Sequence, residues 1–523
     1  MPEDNQAQQP DSSGSDSSLA SGSLTRRVAS GMGWMFLGQS ATWGAKLAKL
    51  ITVAAVLDPN AFGLFGLVLL TTEALRIFTL TGFHAAVVQR EELTEEHLDT
   101  AWTVLAIRGL FLAGLMLAMA PVVGWFFEEP RIVPILRAIS PILVLQGFAN
   151  IGTIYFPKKL RFKRQFIYKL VPALVNLITG VGWALYLRSV WALVISSLTV
   201  NLCQWALSYI LHPYRPSFSL DMKRARELIS FGKWVFVSAV LGFLVTNGDD
   251  AFLGRFLGIA ALGIYQFAYK LSSFGAVEVG KMLSSVIFPS YALMQNDIPR
   301  LRRAYLRVLS AMILTMGPIS AGIAAVSPVF IHAVVGSKWA QAIVPLQLLC
   351  IFGFLRTFKP ITGTLFMGVG EPKWQTKGLF AQAMIMAALI WPATHLLGIE
   401  GTCGTVALAL LLGNVYAASK ICRILDISRH TLTIHVTGAA VPSLLMFLIV
   451  MFLSTIVSES VAGFIILILS GILSYAVICG LLSLLAWRTS VTTTFMTPFR
   501  DSVDILQRIV TSEPGDYDAD RNR

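Results

Sequence analysis

Long apolar segments recur along nearly the whole sequence, separated by short polar connections. Fourteen of them reach the ~20 residues that a helix needs to cross the hydrocarbon core of a bilayer. The segments lie at 31–57, 62–88, 101–127, 132–156, 166–187, 190–211, 229–247, 257–290, 308–332, 341–367, 375–396, 398–419, 436–457 and 461–487. Because a helix satisfies its own backbone hydrogen bonds in lipid, the sequence predicts an all-α polytopic membrane protein with about fourteen spans.

The composition supports this fold class and excludes an ordinary soluble enzyme. Of the 523 residues, 55% are hydrophobic and only 13% are charged. Soluble domains carry roughly 25% charged residues, so this chain has too few to cover several soluble domains. The net charge of +12 does not indicate nucleic-acid binding, because the basic residues are spread over short loops instead of forming a basic domain.

Basic residues alternate between the two sides of the predicted bundle. The odd-numbered connections hold only Arg131, Arg188, Arg255 and Lys338, whereas the even-numbered connections hold clusters such as those at 158–164, 223–226 and 300–307. Loops rich in lysine and arginine stay in the cytoplasm, so the pattern predicts an even number of spans with both termini cytoplasmic.

An internal repeat divides the chain into two lobes. Residues 30–36 align without gaps with 230–236, and Ala61 and Gly63 align with Ala261 and Gly263, an offset of 200 residues. Two pseudo-symmetric six-helix lobes with a cleft between them are therefore predicted, with two further C-terminal helices. The predicted organisation is a disordered cytoplasmic tail at 1–27, an N-lobe at 28–212, a cytoplasmic linker at 213–228, a C-lobe at 229–420, the two added helices at 421–488 and a cytoplasmic tail at 489–523.

Charged residues within the spans are the candidate functional residues, because each costs about 2.5–3.5 kcal/mol to insert. The basic residues predicted to line a central cavity are Lys46, Lys49, Arg76, Arg108, Lys270, Arg356 and Lys359. Such a cavity would attract a diphosphate, since arginine and lysine both bind phosphate oxygens. Candidates for coupling to an ion gradient are Glu73, Asp249 and Glu278.

Structural alternatives exist for several of these residues. Glu73 and Arg76 are three residues apart, as are Glu278 and Lys281, so each pair could neutralise itself within one helix. Arg108 could extend to a membrane face, and Asp249 could orient a loop at a helix end. Tryptophans near the span ends, Trp339 among them, are expected to be interfacial anchors.

No arrangement typical of catalysis or of cofactor binding is found in the sequence. The five cysteines are far apart, and their spacing indicates neither a disulfide framework nor a zinc site. Residues 275–281 have the spacing of a phosphate-binding loop, but Met282 follows and the segment lies within an apolar helix. We therefore expect a protein that is not an enzyme and has no cofactor or metal.

Several motifs resemble those of a known family. They are the segment at 59–64, the segment at 82–90, Phe231-Gly232, Asn247-Gly248-Asp249, Gly254-Arg255, Leu257-Gly258 and the segment at 262–265. This pattern resembles the polysaccharide transporter family, the bacterial Wzx-type flippases of the multidrug/oligosaccharidyl-lipid/polysaccharide superfamily. One departure is Thr81, where many relatives have an acidic residue.

The resemblance implies two lobes around a central cavity and a polyprenyl-diphosphate-linked oligosaccharide as substrate, moved across the cytoplasmic (inner) membrane. It also implies membrane lipids as partners, a coupling ion (H⁺ or Na⁺), contact with a polysaccharide assembly machinery and no nucleic acid. The alternatives are an ion-coupled multidrug antiporter of the same superfamily, a peptidoglycan-precursor flippase and a membrane glycosyltransferase or polymerase. Short connections count against the last, because they leave no room for a catalytic domain.

Overall fold

The computed structural model describes residues 38–78, 95–158, 162–219 and 232–488, and these ranges contain helices but no strand. The first half contains α1 (38–56), α2 (Pro59–Phe78), α3 (Glu95–Phe126), α4 (Ile132–Ile139 and Pro141–Gly147), α5 (Phe162–Leu187) and α6 (Val190–Leu211). The second half contains α7 (Gly232–Phe256), α8 (Ile259–Leu293), α9 (Ile298–Phe330), α10a (Ile343–Arg356), α10b (Phe358–Gly368), α11 and α12 (together Lys373–Ile424), α13 (Arg429–Ser454) and α14 (Val461–Arg488). We number the part of Lys373–Ile424 before Gly398 as α11 and the part after it as α12.

Each of the fourteen predicted spans has a helical counterpart in these ranges, which confirms the all-α polytopic fold. Nine helices of the described chain are long and apolar enough to cross a membrane, with Lys373–Ile424 counted as one. The helices α1, α7 and α8 are not among them. These three carry five of the ten charged candidates, namely Lys46, Lys49, Asp249, Lys270 and Glu278.

Two of the predicted spans differ from simple helices. The segment predicted at 132–156 is interrupted at Ser140, just before Pro141, and again at 148–150, and the turns Ile151–Ile154 and Tyr155–Lys158 follow. Gly398, with φ 60° and ψ −136°, joins α11 directly to α12. A side chain is strained at such a backbone conformation, and glycine therefore permits the reversal between these two spans.

The sequence of the α1–α2 turn leaves one backbone carbonyl free for the other lobe. Asp58 caps α2 by accepting a hydrogen bond from the Ala61 N–H at 2.9 Å. Pro59 has no N–H, so the Ala55 carbonyl at the end of α1 lacks its usual helical partner. Lys338, from the segment between α9 and α10a, donates to that carbonyl at 2.8 Å. The C-lobe thereby completes the end of an N-lobe helix.

Helices α2 and α8 join the two lobes through a reciprocal contact. A Cβ atom on Gly63 would lie 1.9 Å from the Ile259 carbonyl oxygen, and one on Gly263 would lie 1.9 Å from the Pro59 carbonyl oxygen. The two glycines are 200 residues apart, as are their two partners, so the contact repeats itself with the lobes exchanged. This reciprocity confirms the pseudo-symmetric lobes that the repeat predicts.

Trp339 does not lie at an interface with solvent or lipid, contrary to the expectation that it is an interfacial anchor. Its side chain is fully buried, and its indole N–H donates to the Ala54 carbonyl at 2.8 Å. The rings of Phe62 and Phe267 lie 5.1 and 4.6 Å from it, one from each lobe. Trp339 therefore packs in the core of the lobe interface, at the end where α2 and α8 begin.

The two added helices pack on the outside of the C-lobe. Gly317 of α9 allows α13 to approach closely, because a Cβ there would lie 2.5 Å from the Ser443 hydroxyl oxygen. The Tyr475 hydroxyl of α14 donates to the Leu314 carbonyl of α9 at 2.5 Å. Tails 1–27 and 489–523, most of the 213–228 linker, Thr81 and the 82–90 motif lie outside the described residues, and the proposed domain boundaries stay predictions.

Candidate functional site

A cavity of about 370 Å³ lies between the lobes, further along α2 and α8 from the glycine contact. It is lined by residues of α1, α2 and α6 on one side and of α8 and α10a on the other. Among the lining residues in the described chain, the basic ones are Lys46, Lys49, Lys270 and Arg356, and the acidic one is Glu278. Phe62, Phe65, Leu50 and Val53 supply apolar walls. The site is therefore a half-apolar space with an excess of positive charge.

Glu278 holds the two lobes together at one side of the cavity. Its carboxylate accepts hydrogen bonds from Lys46 at 3.0 Å, Trp43 at 3.1 Å and Gln39 at 3.2 Å, all from α1. The Glu278 side chain is 10% exposed, whereas the Lys46 side chain is 45% exposed and faces the cavity. Glu278 thus binds the N-lobe across the interface. The alternative, in which a neighbour in its own helix neutralises Glu278, does not predict these contacts.

Lys49 is held in place by neutral groups, and within the described residues it forms no ion pair. Its ammonium donates to the Asn176 side chain and, at 3.4 Å, to the Ser196 hydroxyl. Gly180 of α5 makes room for its stem, since a Cβ there would lie 2.4 Å from Lys49 Cε. Lys270 lines the same cavity, so the two ammonium groups repel each other. An anion placed between them would relieve that repulsion.

Arg356 lies on the aromatic wall of the C-lobe. Its guanidinium donates to the Tyr269 hydroxyl at 2.5 Å and lies 5.8 Å from the centre of the Phe352 ring. Tyrosine and phenylalanine faces orient a guanidinium without neutralising it. Arg356 therefore retains donors and charge for an anionic ligand in the cavity.

Two aspartates lie behind this wall. The Asp249 carboxylate is 1% exposed and accepts a hydrogen bond from the Tyr265 hydroxyl, while its Oδ1 has no hydrogen-bond partner in the described chain. Asp250 accepts from Gln266 at 3.1 Å, and Gln266 in turn accepts from Lys270 at 3.3 Å. Lys270 is thus connected through Gln266 to the partly buried carboxylate of Asp250 on one side and lines the cavity on the other.

The remaining predicted residues do not line this cavity. Glu73 and Arg76 form an ion pair at 3.2 Å with both side chains over 40% exposed. Arg108 donates to the Arg76 carbonyl at 2.7 Å, which ties α3 to the end of α2. Lys359 lines a second, smaller pocket between α10b and the pair α11 and α12. The structure thus brings together five of the ten predicted residues in one cavity.

Sequence reasoning missed the polar and aromatic partners of these charges. Gln39, Trp43 and Lys46 recur at helical spacing, so one face of α1 already carries all three groups that reach Glu278. Tyr269 and Asn176 carry no charge, and nothing in their local sequence distinguishes them. No group of three or more histidine, cysteine, aspartate or glutamate side chains suited to a metal occurs in the described chain.

A family model described as "Polysaccharide biosynthesis protein" matches residues 52–344. The teichuronic acid biosynthesis protein TuaB of Bacillus subtilis is 23% identical over 67% of this chain and 73% of its own length. The lipopolysaccharide biosynthesis protein WzxC of Escherichia coli is 24% identical over 66% of this chain and 70% of its own. The succinoglycan biosynthesis transport protein ExoT of Rhizobium meliloti is 24% identical over 72% of this chain and 76% of its own.

Solved structures share the fold at low sequence identity. The lipid II flippase MurJ, in an inward closed conformation, superimposes with a TM-score of 0.67 at 14% identity and covers 84% of this chain and 97% of its own. An inward-facing multidrug resistance transporter of the MATE family superimposes with a TM-score of 0.56 at 16% identity, over 75% of this chain and 96% of its own. These likenesses show a two-lobed, multi-pass membrane fold.

Proposed function

Because the chain belongs to the polysaccharide biosynthesis protein family, we propose that it is a flippase for polyprenyl-diphosphate-linked oligosaccharides. The relatives TuaB, WzxC and ExoT are named for the biosynthesis or transport of teichuronic acid, lipopolysaccharide and succinoglycan. The substrate of the present chain would be a repeat unit of such a surface polymer, carried on its lipid. It would cross the cytoplasmic (inner) membrane before polymerisation by a separate assembly machinery.

The cationic cavity between the lobes is the observation on which this proposal rests. Among the described residues that line the cavity, Lys46, Lys49, Lys270 and Arg356 supply four positive charges, and Glu278 supplies one carboxylate. A diphosphate bound here would form charge-assisted hydrogen bonds with the lysines and a bidentate contact with the arginine. The apolar wall formed by Phe62, Phe65 and Leu50 suits the first isoprene units of the lipid.

Alternating access explains how such a cavity would open to either side. The glycine contact between α2 and α8 and the buried Trp339 close one end of the lobe interface. The loop charges predict that this end faces the periplasm, with both termini in the cytoplasm. Rocking of the lobes about this contact would release the head group outward while the lipid tail stays in the bilayer. The step breaks no covalent bond, so the protein would not be an enzyme.

Coupling to an H⁺ or Na⁺ gradient would use the buried carboxylates. Asp249, with an Oδ1 that lacks a partner in the described chain, has the vacant acceptor that a proton or a cation needs. Glu278 joins the lobes and could be released from Lys46 by protonation. Glu73 is exposed and paired with Arg76, so its surroundings do not support a role in ion coupling.

Lipid extracts of a strain that lacks this gene test the proposal directly. Mass spectrometry should detect accumulation of a complete polyprenyl-diphosphate-linked repeat unit together with loss of the surface polymer, both reversed by the unaltered gene. If the repeat unit is still moved and the polymer still appears on the cell surface, the flippase assignment is wrong.

The same extract decides the second candidate, a peptidoglycan-precursor flippase, which the structural likeness to the lipid II flippase MurJ favours. Accumulation of the lipid-linked peptidoglycan precursor instead of a polymer repeat unit would select it. A multidrug antiporter is disfavoured by the cavity, because an excess of basic groups repels cationic drugs. Increased drug sensitivity of the deletion strain without any accumulated lipid-linked sugar would instead favour the multidrug antiporter.

A further inference from the structure

Three lysines surround one tryptophan at the junction of α10b, α11 and α12. The ammonium groups of Lys373, Lys377 and Lys420 lie 5.4, 4.9 and 4.5 Å from the centre of the Trp374 ring. Lys373 is also paired with Glu371 at 2.7 Å. Lys377 and Lys420 have no carboxylate within ion-pair distance in the described chain. Converging like charges repel, so this cluster is most stable with an anion among them.

A pocket of about 40 Å³ lies beneath the same tryptophan. Its walls carry the side chains of Lys359, Gln375, Gln382 and Asn414 beside Trp374. A water needs roughly 10–15 Å³ on this measure, so the pocket holds about three waters, close to the room that one phosphate group requires. Amide and ammonium donors on several walls match the oxygens of that group.

Lys359 makes this pocket cationic from within. Its ammonium has neither a hydrogen bond nor an ion pair in the described chain, and Arg356, three residues before it, has the same sign. A largely enclosed charge without a counter-ion is costly, and a bound anion would remove the cost. In the described chain, the pocket is therefore lined by one cation without an ion pair, and two more, Lys377 and Lys420, lie beside the tryptophan that forms part of its wall.

The break between α10a and α10b separates this pocket from the central cavity. Arg356 ends α10a and lines the central cavity, whereas Lys359, three residues later in α10b, lines the pocket. The cations thus form a series from Lys420 through Lys359 and Arg356 to Lys270. The loop charges place the α10b–α11 connection at the cytoplasmic face, where a lipid head group would meet Lys377 first.

We propose that the pocket beneath Trp374 is a second phosphate-binding site, which captures the phosphate or diphosphate head group of a membrane lipid in the cytoplasmic leaflet. This inference rests on the proposed function in two respects. They are the orientation of the site in the membrane and its position before the central cavity on the route of a lipid-linked diphosphate. Two sources share the chemistry: the lipid-linked diphosphate itself and an anionic phospholipid such as phosphatidylglycerol.

Native mass spectrometry of the purified full chain counts the bound lipids. The unaltered protein should retain two copies of a polyprenyl diphosphate, one in each site. Lys359→Met keeps the length of the side chain and removes its charge, so it should lower the number of bound lipids to one. The double variant Lys377→Met/Lys420→Met should weaken lipid binding at the same site at least tenfold. Lys359→Arg should retain both copies, which separates loss of charge from misfolding. Two copies retained by Lys359→Met at unchanged affinity would overturn the inference.

Parallel titrations identify the source and keep this inference separate from the flippase proposal. A phosphatidylglycerol copy lost in Lys359→Met assigns the site to phospholipid, whereas loss of polyprenyl diphosphate alone assigns it to the substrate. Equal retention of phosphatidylcholine by the site would refute a preference for anionic head groups, because that lipid carries a phosphate but no net charge. Lys49→Met should remove the copy in the central cavity. If Lys49→Met still retains the lipid in the central cavity while Lys359→Met loses one bound lipid, the central-cavity assignment is wrong and the second site is supported.

Discussion

Where α2 and α8 begin, the lobes touch through backbone, glycine and aromatic groups, with Gly63, Gly263 and Trp339 in the contact. Roughly 28 Å further along α8, they touch through the carboxylate of Glu278 and three side chains of α1. Close packing seals the first region, while the second keeps a charged space accessible. Shape thus determines which end of the lobe interface is closed, and charge determines what the open part would hold.

Truncation of the aromatic residue at the closed end should have the largest effect. Trp339→Ala leaves a cavity between Phe62 and Phe267 and removes the hydrogen bond to Ala54, so we expect a loss of about 3–5 kcal/mol in the free energy of unfolding. Thermal unfolding of the purified protein measures it. Trp125→Ala is the control, because that side chain is 79% exposed and should change stability little. Equal effects of the two would refute the closed interface.

The glycine contact should tolerate no side chain. Gly263→Ala places a Cβ 1.9 Å from the Pro59 carbonyl oxygen, so the lobes must separate, at a cost of about 3 kcal/mol, the upper part of the usual overpacking range. A thiol reagent should therefore label a cysteine introduced at the closed end of the lobe interface faster than it labels the same cysteine in the unaltered protein. The matched control is Gly242→Ala, where nothing lies within 4 Å of the new Cβ. If the cysteine in Gly263→Ala is labelled no faster, the interface is still closed and the packing argument is wrong.

Neutralisation in the cavity should reduce transport without unfolding the protein. Lys49→Gln keeps a donor for Asn176 and removes the charge, so flipping should fall by about tenfold to a hundredfold, the worth of one charge-assisted contact of about 1.5–3 kcal/mol. Accumulated lipid-linked repeat unit in complemented cells reports the loss. Lys169→Gln, an exposed lysine on α5, should behave like the unaltered chain. Normal flipping by Lys49→Gln would remove this residue from the site.

The ion pair that joins the lobes at the surface of the closed end should matter least. Arg255 lies 2.8 Å from Glu128, whose side chain is 71% exposed. Solvent screens such a pair, so Arg255→Gln should cost about 0–1 kcal/mol of stability, and less in high salt. A loss as large as that of Trp339→Ala would show that charge, and not packing, closes this end.

The helical plan follows from the sequence to a large extent, because apolar length and alternating loop charge are local properties. The repeat likewise locates the reciprocal glycines, since an offset of 200 residues pairs position 63 with 263. The partners of Glu278 lie over 230 positions away in the sequence, and the indole of Trp339 donates to a carbonyl 285 positions away. Span prediction cannot reveal such contacts, because hydropathy describes one helix at a time. For the same reason Lys359, which the sequence assigns to the central cavity together with Arg356, lines a different pocket.

The reciprocal contact of α2 and α8 has the form of an isologous dimer interface within one chain. Each half presents the same glycine and the same carbonyl position to the other, as two identical subunits do about a two-fold axis. A chain of half this length with this helix pair would form the same contact with a second copy of itself. Fusion into one chain frees the halves to differ, so Lys49 in the first half corresponds, 200 residues later, to Asp249 in the second.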